Sequence, residues 1–334
     1  MLREMARARL QPNLITFNAT ITACGRSSQW QHSLALLLQV RDNFLQPDRT
    51  SYNSTFTACE RGSATRMSGE VLSQMRSAAM QADLYTYNAS ISACGKDAGW
   101  ERAAWILFDM ARREVEPDVV SFGAALSACE KASKWLASLQ LLKTMPSTRL
   151  DPNAIIYSTS ISACAKTSQW RFALDLLMEL KARELRADEG CRADVVAFSA
   201  AINACKKGAA WQSALRLLGQ MKEEGPEPNI ISYTAAMNAC ERGSCWPLTL
   251  LLLQEARGRA HVPTEVTYGA AMAACGRGSL WQYALSVLDE MQAADVSPDS
   301  LIYNACMLAC KRGSQGHLAL QLEAKRLTTA EVLN

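Results

Sequence analysis

Only three histidines, His32, His261 and His317, occur in the 334 residues, and each stands alone. That leaves little material for a zinc site or a nucleophile–base pair, and it argues against an enzyme or a bound cofactor. No apolar run approaches the roughly 20 residues that cross a bilayer, so no membrane partner is expected. The opening MLREMARARLQPN lacks an apolar core followed by a small-residue cleavage site, so it does not read as a secretory signal. Gly276-x-Gly278 follows no strand and carries no phosphate-loop meaning. Charge of one sign is scarce too: 35 Lys and Arg face 32 Asp and Glu, a net +3. So small an excess proves no nucleic-acid partner, and clustering is what counts. Apolar residues are plentiful at 49%, beside 20% charged ones, the balance of an ordinary packed protein.

Cysteine is also plentiful. Twelve would suggest disulfides in a small secreted domain. Nine of them, however, recur in one phase, each directly after alanine: Cys24, Cys59, Cys94, Cys129, Cys164, Cys205, Cys240, Cys275 and Cys310. A slot repeated this way is a small buried apolar position rather than a ligand, and the chain reads as intracellular with reduced thiols. The spacing is 35 residues throughout, except 41 between Cys164 and Cys205. Self-similarity at such a period signals a solenoid.

Seven residues before each cysteine stands an aromatic: Phe17, Tyr52, Tyr87, Phe122, Tyr157, Phe198, Tyr233, Tyr268 and Tyr303. Three before it comes an apolar group such as Ile21, Ile91, Ile161, Ile202, Met237 or Met272. Positions i, i+4 and i+7 share one face of a helix. A short Gly/Ser/Ala turn follows, for example Gly62-Ser63 or Gly278-Ser279. Then a tryptophan opens a second helix: Trp30, Trp100, Trp135, Trp170, Trp211, Trp246 and Trp281. Ala103, Ala104, Leu107 and Phe108 after Trp100 predict the apolar stripe of that helix. Pro12, Pro47, Pro117, Pro152, Pro228, Pro263 and Pro298 close the repeats, since proline cannot continue a helix. A single hairpin cannot bury its own apolar face, so stacking on neighbours completes the core.

Nine repeats are expected, at 14–48, 49–83, 84–118, 119–153, 154–194, 195–229, 230–264, 265–299 and 300–334. Residues 1–13, with Met5 in the usual methionine slot, read as the end of a truncated upstream repeat, so that the chain begins inside an array. The fifth repeat carries six extra residues near Ala187–Arg192. The second has Thr65 in the tryptophan slot and Gly69 within its second helix, which predicts a soft joint. The ninth has Gly316 in that slot and no closing proline in Leu327–Asn334, as in a degenerate cap.

The segments PDVVSFGAALSACEK, ADVVAFSAAINACKK and PNIISYTAAMNACER, with a Pro-Asp or Pro-Asn close, resemble the pentatricopeptide repeat family in its pure 35-residue class. The likeness runs over the whole chain. Tetratricopeptide repeats differ: their period is 34 and their tryptophan lies in the first helix. The resemblance implies an all-α fold, a right-handed α-solenoid superhelix of stacked helix-turn-helix repeats. It implies sequence-selective binding of single-stranded RNA, one base per repeat, by a monomer in chloroplasts or mitochondria. Protein partners of RNA processing would be possible associates. Nothing resembles the deaminase or nuclease domains that some members carry, including the H-x-E with C-x-x-C zinc signature.

In this family the residue after the aromatic and the residue closing the repeat together read one base. The first set here is Asn18, Asn53, Asn88, Gly123, Ser158, Ser199, Thr234, Gly269 and Asn304. The closing set is Asp48, Asp83, Asp118, Asn153, Asp194, Asn229, Thr264 and Asp299. Ionised Asp only accepts, which suits the ring N–H of U and G, whereas Asn can donate and admits A and C. Asn in the first set reaches a small pyrimidine, and Ser or Thr leaves room for a purine. Repeats one to three then read U, repeat five G and repeat six A, with four, seven and eight ambiguous: 5′-UUU-N-G-A-N-N. Helix capping is the other reading of these polar residues.

Two residues before the aromatic lies a mostly branched group: Ile15, Thr50, Tyr85, Val120, Ile155, Val196, Ile231, Val266 and Leu301. The family implies that these wedge between bases, with Ile15, Val120, Ile155, Val196, Ile231 and Val266 as the stacking candidates. Core packing is the alternative.

A basic residue stands two after every cysteine: Arg26, Arg61, Lys96, Lys131, Lys166, Lys207, Arg242, Arg277 and Arg312. It lies about 80° round the helix from the reading residue, so both can face one groove. With a net charge of only +3, the acids are expected elsewhere. A column of cations repels itself unless a polyanion passes along it, which points to RNA phosphates. Favourable charge at a helix C-terminus is the competing explanation. Asn18-Ala-Thr20, Asn53-Ser-Thr55 and Asn88-Ala-Ser90 match glycosylation sequons only by accident of the repeat. A helical scaffold for an extended peptide is the alternative function, but it predicts varied groove side chains rather than small polar readers and a uniform cation column.

Overall fold

The structure is a computed structural model that describes residues 11–62, 64–78, 80–96, 98–185, 193–223, 225–243, 245–294 and 296–323. The extra residues of repeat five, the upstream Met5 and the tail 327–334 lie outside these. The described helices are α1 (Leu14–Arg26), α2 (Trp30–Asp42), α3 (Arg49–Arg61), α4 (Thr65–Ser77), α5 (Leu84–Lys96), α6 (Trp100–Arg112), α7 (Val119–Lys131), α8 (Trp135–Thr144) and α9 (Ala154–Lys166). They continue with α10 (Trp170–Leu185), α11 (Val195–Lys207), α12 (Trp211–Glu223), α13 (Ile230–Arg242), α14 (Trp246–Gly258), α15 (Glu265–Gly278), α16 (Trp281–Ala293) and α17 (Ser300–Arg312). Residues 316–323 are helical as well. The fold is all-α, and the chain forms two compact bodies, residues 1–163 and 164–334.

Local chemistry sets the helix boundaries. Odd helices start where Asp48, Asp118, Asp194, Asn229 or Asp299 caps the backbone N–H three residues on, after an extended approach that the preceding Pro suits at all but Asp194. They end in a turn whose left-handed residue is Ser28, Ser133, Ser168, Ala209, Ser279 or Ser314. The even helices stop earlier than the proline spacing suggested. Phe44, Glu114, Arg149 and Ala260 adopt positive φ three residues before Pro47, Pro117, Pro152 and Pro263. Those prolines therefore set the path into the next helix and do not break the last one. In the second repeat, α4 keeps 13 residues despite Gly69, where an added Cβ would meet nothing within 4 Å.

In the first body α1, α3, α5 and α7 pack successively on one another; in the second α11, α13, α15 and α17 do so. Even helices pack against their own odd helix and the next, as α2 does with α1 and α3, α6 with α5 and α7, and α12 with α11 and α13. The aromatic column is buried, from Phe17 at 2% exposure to Tyr157 at 0%, with the cysteines of repeats two to nine at 0%. The small buried slot therefore holds, and burial raises the Cys59 thiol to about 12. Each fully buried large side chain contributes about 1.5–3 kcal/mol relative to exposure. One expectation is corrected. Phe108 does not join the stripe of α6 but is 60% exposed, and the buried set is Ala103, Ile106, Leu107 and Met110.

The glycines that follow α3, α11 and α13 have a use that the turn pattern did not reveal. Gly62, Gly208 and Gly243 adopt ordinary negative φ. What they supply is room for the tryptophan of the preceding repeat. A Cβ on Gly62 would lie 2.4 Å from Trp30 Cδ1, on Gly208 2.0 Å from Trp170 Cδ1 and on Gly243 2.2 Å from Trp211 Cδ1. Successive even helices also meet through charge, with Lys222–Glu255 at 2.5 Å, Arg257–Glu290 at 2.7 Å and an Arg76–Asp109 pair.

Candidate nucleic-acid interface

The closing residues reach the odd helices as caps, so the capping reading of that set holds. Asp48 accepts from Ser51 N at 2.8 Å, Asp83 from Thr86 N at 2.9 Å and Asp118 from Ser121 N at 2.8 Å. Asn153, Asp194, Asn229 and Asp299 do the same for Ile156, Ala197, Ser232 and Ile302. A carboxylate has several lone pairs, so capping leaves acceptors to spare. The first set is different. Asn18, Asn53 and Asn88 are the fifth residues of their helices, past the turn that needs caps.

In the first body these two sets come together. Asn18 Nδ2 donates to Asp48 Oδ1 at 3.0 Å and Oδ2 at 3.2 Å, and Asn88 Nδ2 donates to Asp118 Oδ1 at 3.2 Å. Burial alone would raise the Asp48 carboxyl, but the backbone N–H and hydroxyl of Ser51 and the Asn18 amide hold it below the usual carboxylate range. The same balance, with Thr86 and Arg49, lowers Asp83, and with Ser121 and Asn88 lowers Asp118. A lowered folded pKa means that the ionised form and its caps persist at neutral pH. They are lost only as pH falls through that value, below about 3.9.

In the second body Ser199 and Thr234 are short, and each meets a hydroxyl of the following odd helix. Ser199 Oγ meets Ser232 Oγ at 2.9 Å, which in turn donates to Asn229 Oδ1 at 3.0 Å. Thr234 and Thr264 meet the Thr267 hydroxyl at 2.8 and 3.0 Å. Ser158 is buried and donates to Ala154 O at 2.8 Å, while Asn304 is exposed. Gly123 has Ile156 3.7 Å from where its Cβ would stand, and Gly269 has nothing within 4 Å.

The branched column points outward on every odd helix, which removes the core-packing alternative. Ile15 is 76% exposed, Ile155 70%, Ile231 63%, Val120 and Val266 62% and Val196 59%. In the second body Val196, Ile231 and Val266 line one groove of about 510 Å³ together with Ser199, Asn229, Thr234 and Thr264. In the first, Asn53, Thr50 and Tyr85 share a groove of about 390 Å³ with Arg26 and Arg61. Stacking candidates thus meet reading residues in the groove of the second body, and two of the cations meet Asn53 in the groove of the first.

The nine cations are all exposed at the ends of the odd helices. Three bind the preceding odd helix. Lys207 Nζ donates to Lys166 O at 3.0 Å, Arg312 to Gly276 O at 2.8 Å and Arg277 to Glu241 O, with an Arg277–Glu241 ion pair at 2.6 Å. The acids are therefore not all elsewhere, because Glu60, Glu130 and Glu241 immediately precede Arg61, Lys131 and Arg242. A further cation went unnoticed in the pattern. Lys206 lines the larger groove, and its pKa is lowered by burial and by the nearby Arg242 and Lys207. Two more features were also missed: Asn203 and Asn238 in that groove, with Thr22 and Thr57 in the smaller one, and the hydroxyl column Ser51, Thr86, Ser121, Ser232 and Thr267. Both recur in the same 35-residue phase, so the signal was present.

Models of the PPR repeat family match residues 193–242, of the pentatricopeptide repeat domain residues 1–27 and 105–167, and of the PPR repeat residues 155–185 and 266–296. Together they cover more than half of the chain. No curated protein matches it. Among solved structures, the chain is similar to the pentatricopeptide repeat protein PPR10 from maize, at 20% identity and TM-score 0.62 over 94% of this chain and 49% of that one. It thus spans about half the length of that protein. PPR10 in complex with an 18-nt psaJ RNA element is 16% identical, with TM-score 0.47, over 98% of this chain and 57% of that one. The PPR domain of Arabidopsis thaliana protein-only RNase P 1 in complex with tRNA is 14% identical, with TM-score 0.44, over 51% of this chain and 89% of that one.

Proposed function

We propose that this chain, which belongs to the pentatricopeptide repeat family, binds single-stranded RNA along the exposed face of its odd helices, one base at each junction of successive repeats. The observation that carries this is the pairing of two columns. Branched apolar side chains stand in solvent on one helix after another, and half-buried polar pairs lie beside them in repeats one to three and six. A soluble surface gains nothing from an ordered row of exposed Ile and Val unless something flat lies against it. Bases stacked between such groups would bring their edges to the polar pair, and their phosphates toward the cations at the helix ends. The repeat boundaries follow the junctions, each ending on the capping residue. Repeats one to three would then read U, five G and six A, with the RNA running 5′ to 3′ along the chain. Organellar RNA processing, stability or translation is the setting this reading implies.

Binding should be tight for single strands and poor for duplex DNA, whose bases are stacked away from the wedges. Competition between an RNA selected from a random pool and a DNA duplex tests this, and equal affinity for the two would sink the reading. Selection of an extended peptide in preference to any RNA would favour a protein scaffold instead.

A further inference from the structure

We infer that the third residue of the odd helices, Ser51, Thr86 or Ser121 in the first body, is a third determinant of base choice, because its buried hydroxyl holds the amide of the asparagine that reads the base. The inference rests on the reading above and deepens it.

Each hydroxyl is 0% exposed and lies against the reading residue of the preceding repeat. Ser51 Oγ lies 2.6 Å from Asn18 Oδ1, Thr86 Oγ1 2.7 Å from Asn53 Oδ1 and Ser121 Oγ 2.5 Å from Asn88 Oδ1, and each hydroxyl shares its one proton between that amide oxygen and the capping carboxylate of Asp48, Asp83 or Asp118 at 2.9, 2.7 and 2.8 Å. The last torsion of Asn is broad and roughly two-fold, so an unheld amide offers the groove either its oxygen or its nitrogen. With the oxygen engaged by the hydroxyl, the N–H groups are left for the neighbouring carboxylate and the groove. The pair then shows a donor beside an acceptor, the complement of a uracil carbonyl and ring N–H. Cytosine presents the opposite arrangement and needs the amide turned round.

A capping duty alone does not account for this column. Ile156, Ala197 and Ile302 occupy the same slot without a hydroxyl, yet their helices stay capped, at 3.0, 2.8 and 2.8 Å. The slot instead follows the reading residue in seven of eight repeats, the exception being Ala197 opposite Ser158. Both junctions whose reader is glycine, Gly123 and Gly269, have isoleucine there (Ile156 and Ile302). All three asparagine junctions of the first body have a hydroxyl. In the second body, Ser232 and Thr267 meet the hydroxyls of Ser199 and Thr234 at 2.9 and 2.8 Å.

The test is Thr86→Val in the full chain, chosen because Thr86 is nearly isosteric with valine. The readout is binding to RNAs that differ only at the base assigned to the second junction. The U-over-C ratio there should fall about fivefold, the weight of one neutral hydrogen bond, with ratios at the neighbouring bases unchanged. Thr86→Ser should restore it. Ser121→Ala, at a junction where Asp118 still holds the amide, should lower its own ratio by only about twofold, and it serves if Thr86→Val does not fold. An unchanged ratio in folded Thr86→Val and Ser121→Ala overturns this inference alone. A wild-type chain indifferent to the base at the second junction overturns it together with the one-base-per-junction reading.

Discussion

Asn18 and Asp48 bond directly across successive repeats of the first body, whereas Ser199 and Asn229 of the second are joined through the hydroxyl of Ser232. The backbone frame is the same in both, with odd helices of 13 or 14 residues opened by a capping Asp, Asn or Thr. Side-chain length makes the difference. Long amides bridge to the carboxylates in the first body. Short hydroxyls in the second leave the larger groove, about 510 Å³ against about 390 Å³. Under the proposed reading, one scaffold would carry sites suited to bases of two sizes, with one or two atoms of side chain making the selection.

The comparison presumes an equivalent frame in the two bodies, and that is the first thing to break. Gly62→Ala and Gly243→Ala place a methyl 2.4 and 2.2 Å from the tryptophan rings of the preceding repeats. Each should cost about 1–3 kcal/mol in urea unfolding, as overpacking does. A loss in one body and none in the other would show that the frames differ.

Reciprocal changes at the readers sharpen the contrast. Asn53→Thr keeps the Asp83 acceptor but shortens the reach, so the preference at that base should move from U toward G. Asn229→Asp keeps the α13 cap but removes a donor, so the preference at its base should move from A toward G. Each shift should be about 1 kcal/mol, measured with RNAs varied at one position. Should Asn53→Thr weaken every RNA equally, the asparagine is structural.

The smallest effect concerns the cations. Arg61 lines the groove of the first body, while Arg277 in the second is paired with Glu241. Arg61→Ala should flatten the log–log salt dependence of RNA binding by about 0.7, the value for one phosphate on a single strand. Arg277→Ala should change that slope less and lower thermal stability more. Equal slope changes would place both residues on phosphates.

The hairpin order, the buried aromatic–aliphatic–cysteine face and the helix-opening caps were legible in the sequence, because each depends on contacts within one helix or on a repeated step of 35 residues. The outward face of α6 was misread. Offsets of 3, 4, 7 and 8 define a stripe only if the neighbour lies squarely against it, and Phe108 falls beyond the contact. The glycines after the odd helices look like turn residues until the tryptophan of the preceding repeat is seen against them. The proline closures look like helix stops until the left-handed residues ahead of them are located.

Periodicity and composition determined that the chain is a stack of helical hairpins, since a 3.6-residue face repeated every 35 residues has no other way to bury itself. They also brought the reading, stacking and basic columns into phase. Only the packing of odd helix on odd helix decided what those columns do to one another. Ser51 lies 33 residues from Asn18, and nothing local says that its hydroxyl reaches that amide. That contact exists because stacked odd helices bring the amide of Asn18 against a hydroxyl that already belongs to the cap at Asp48.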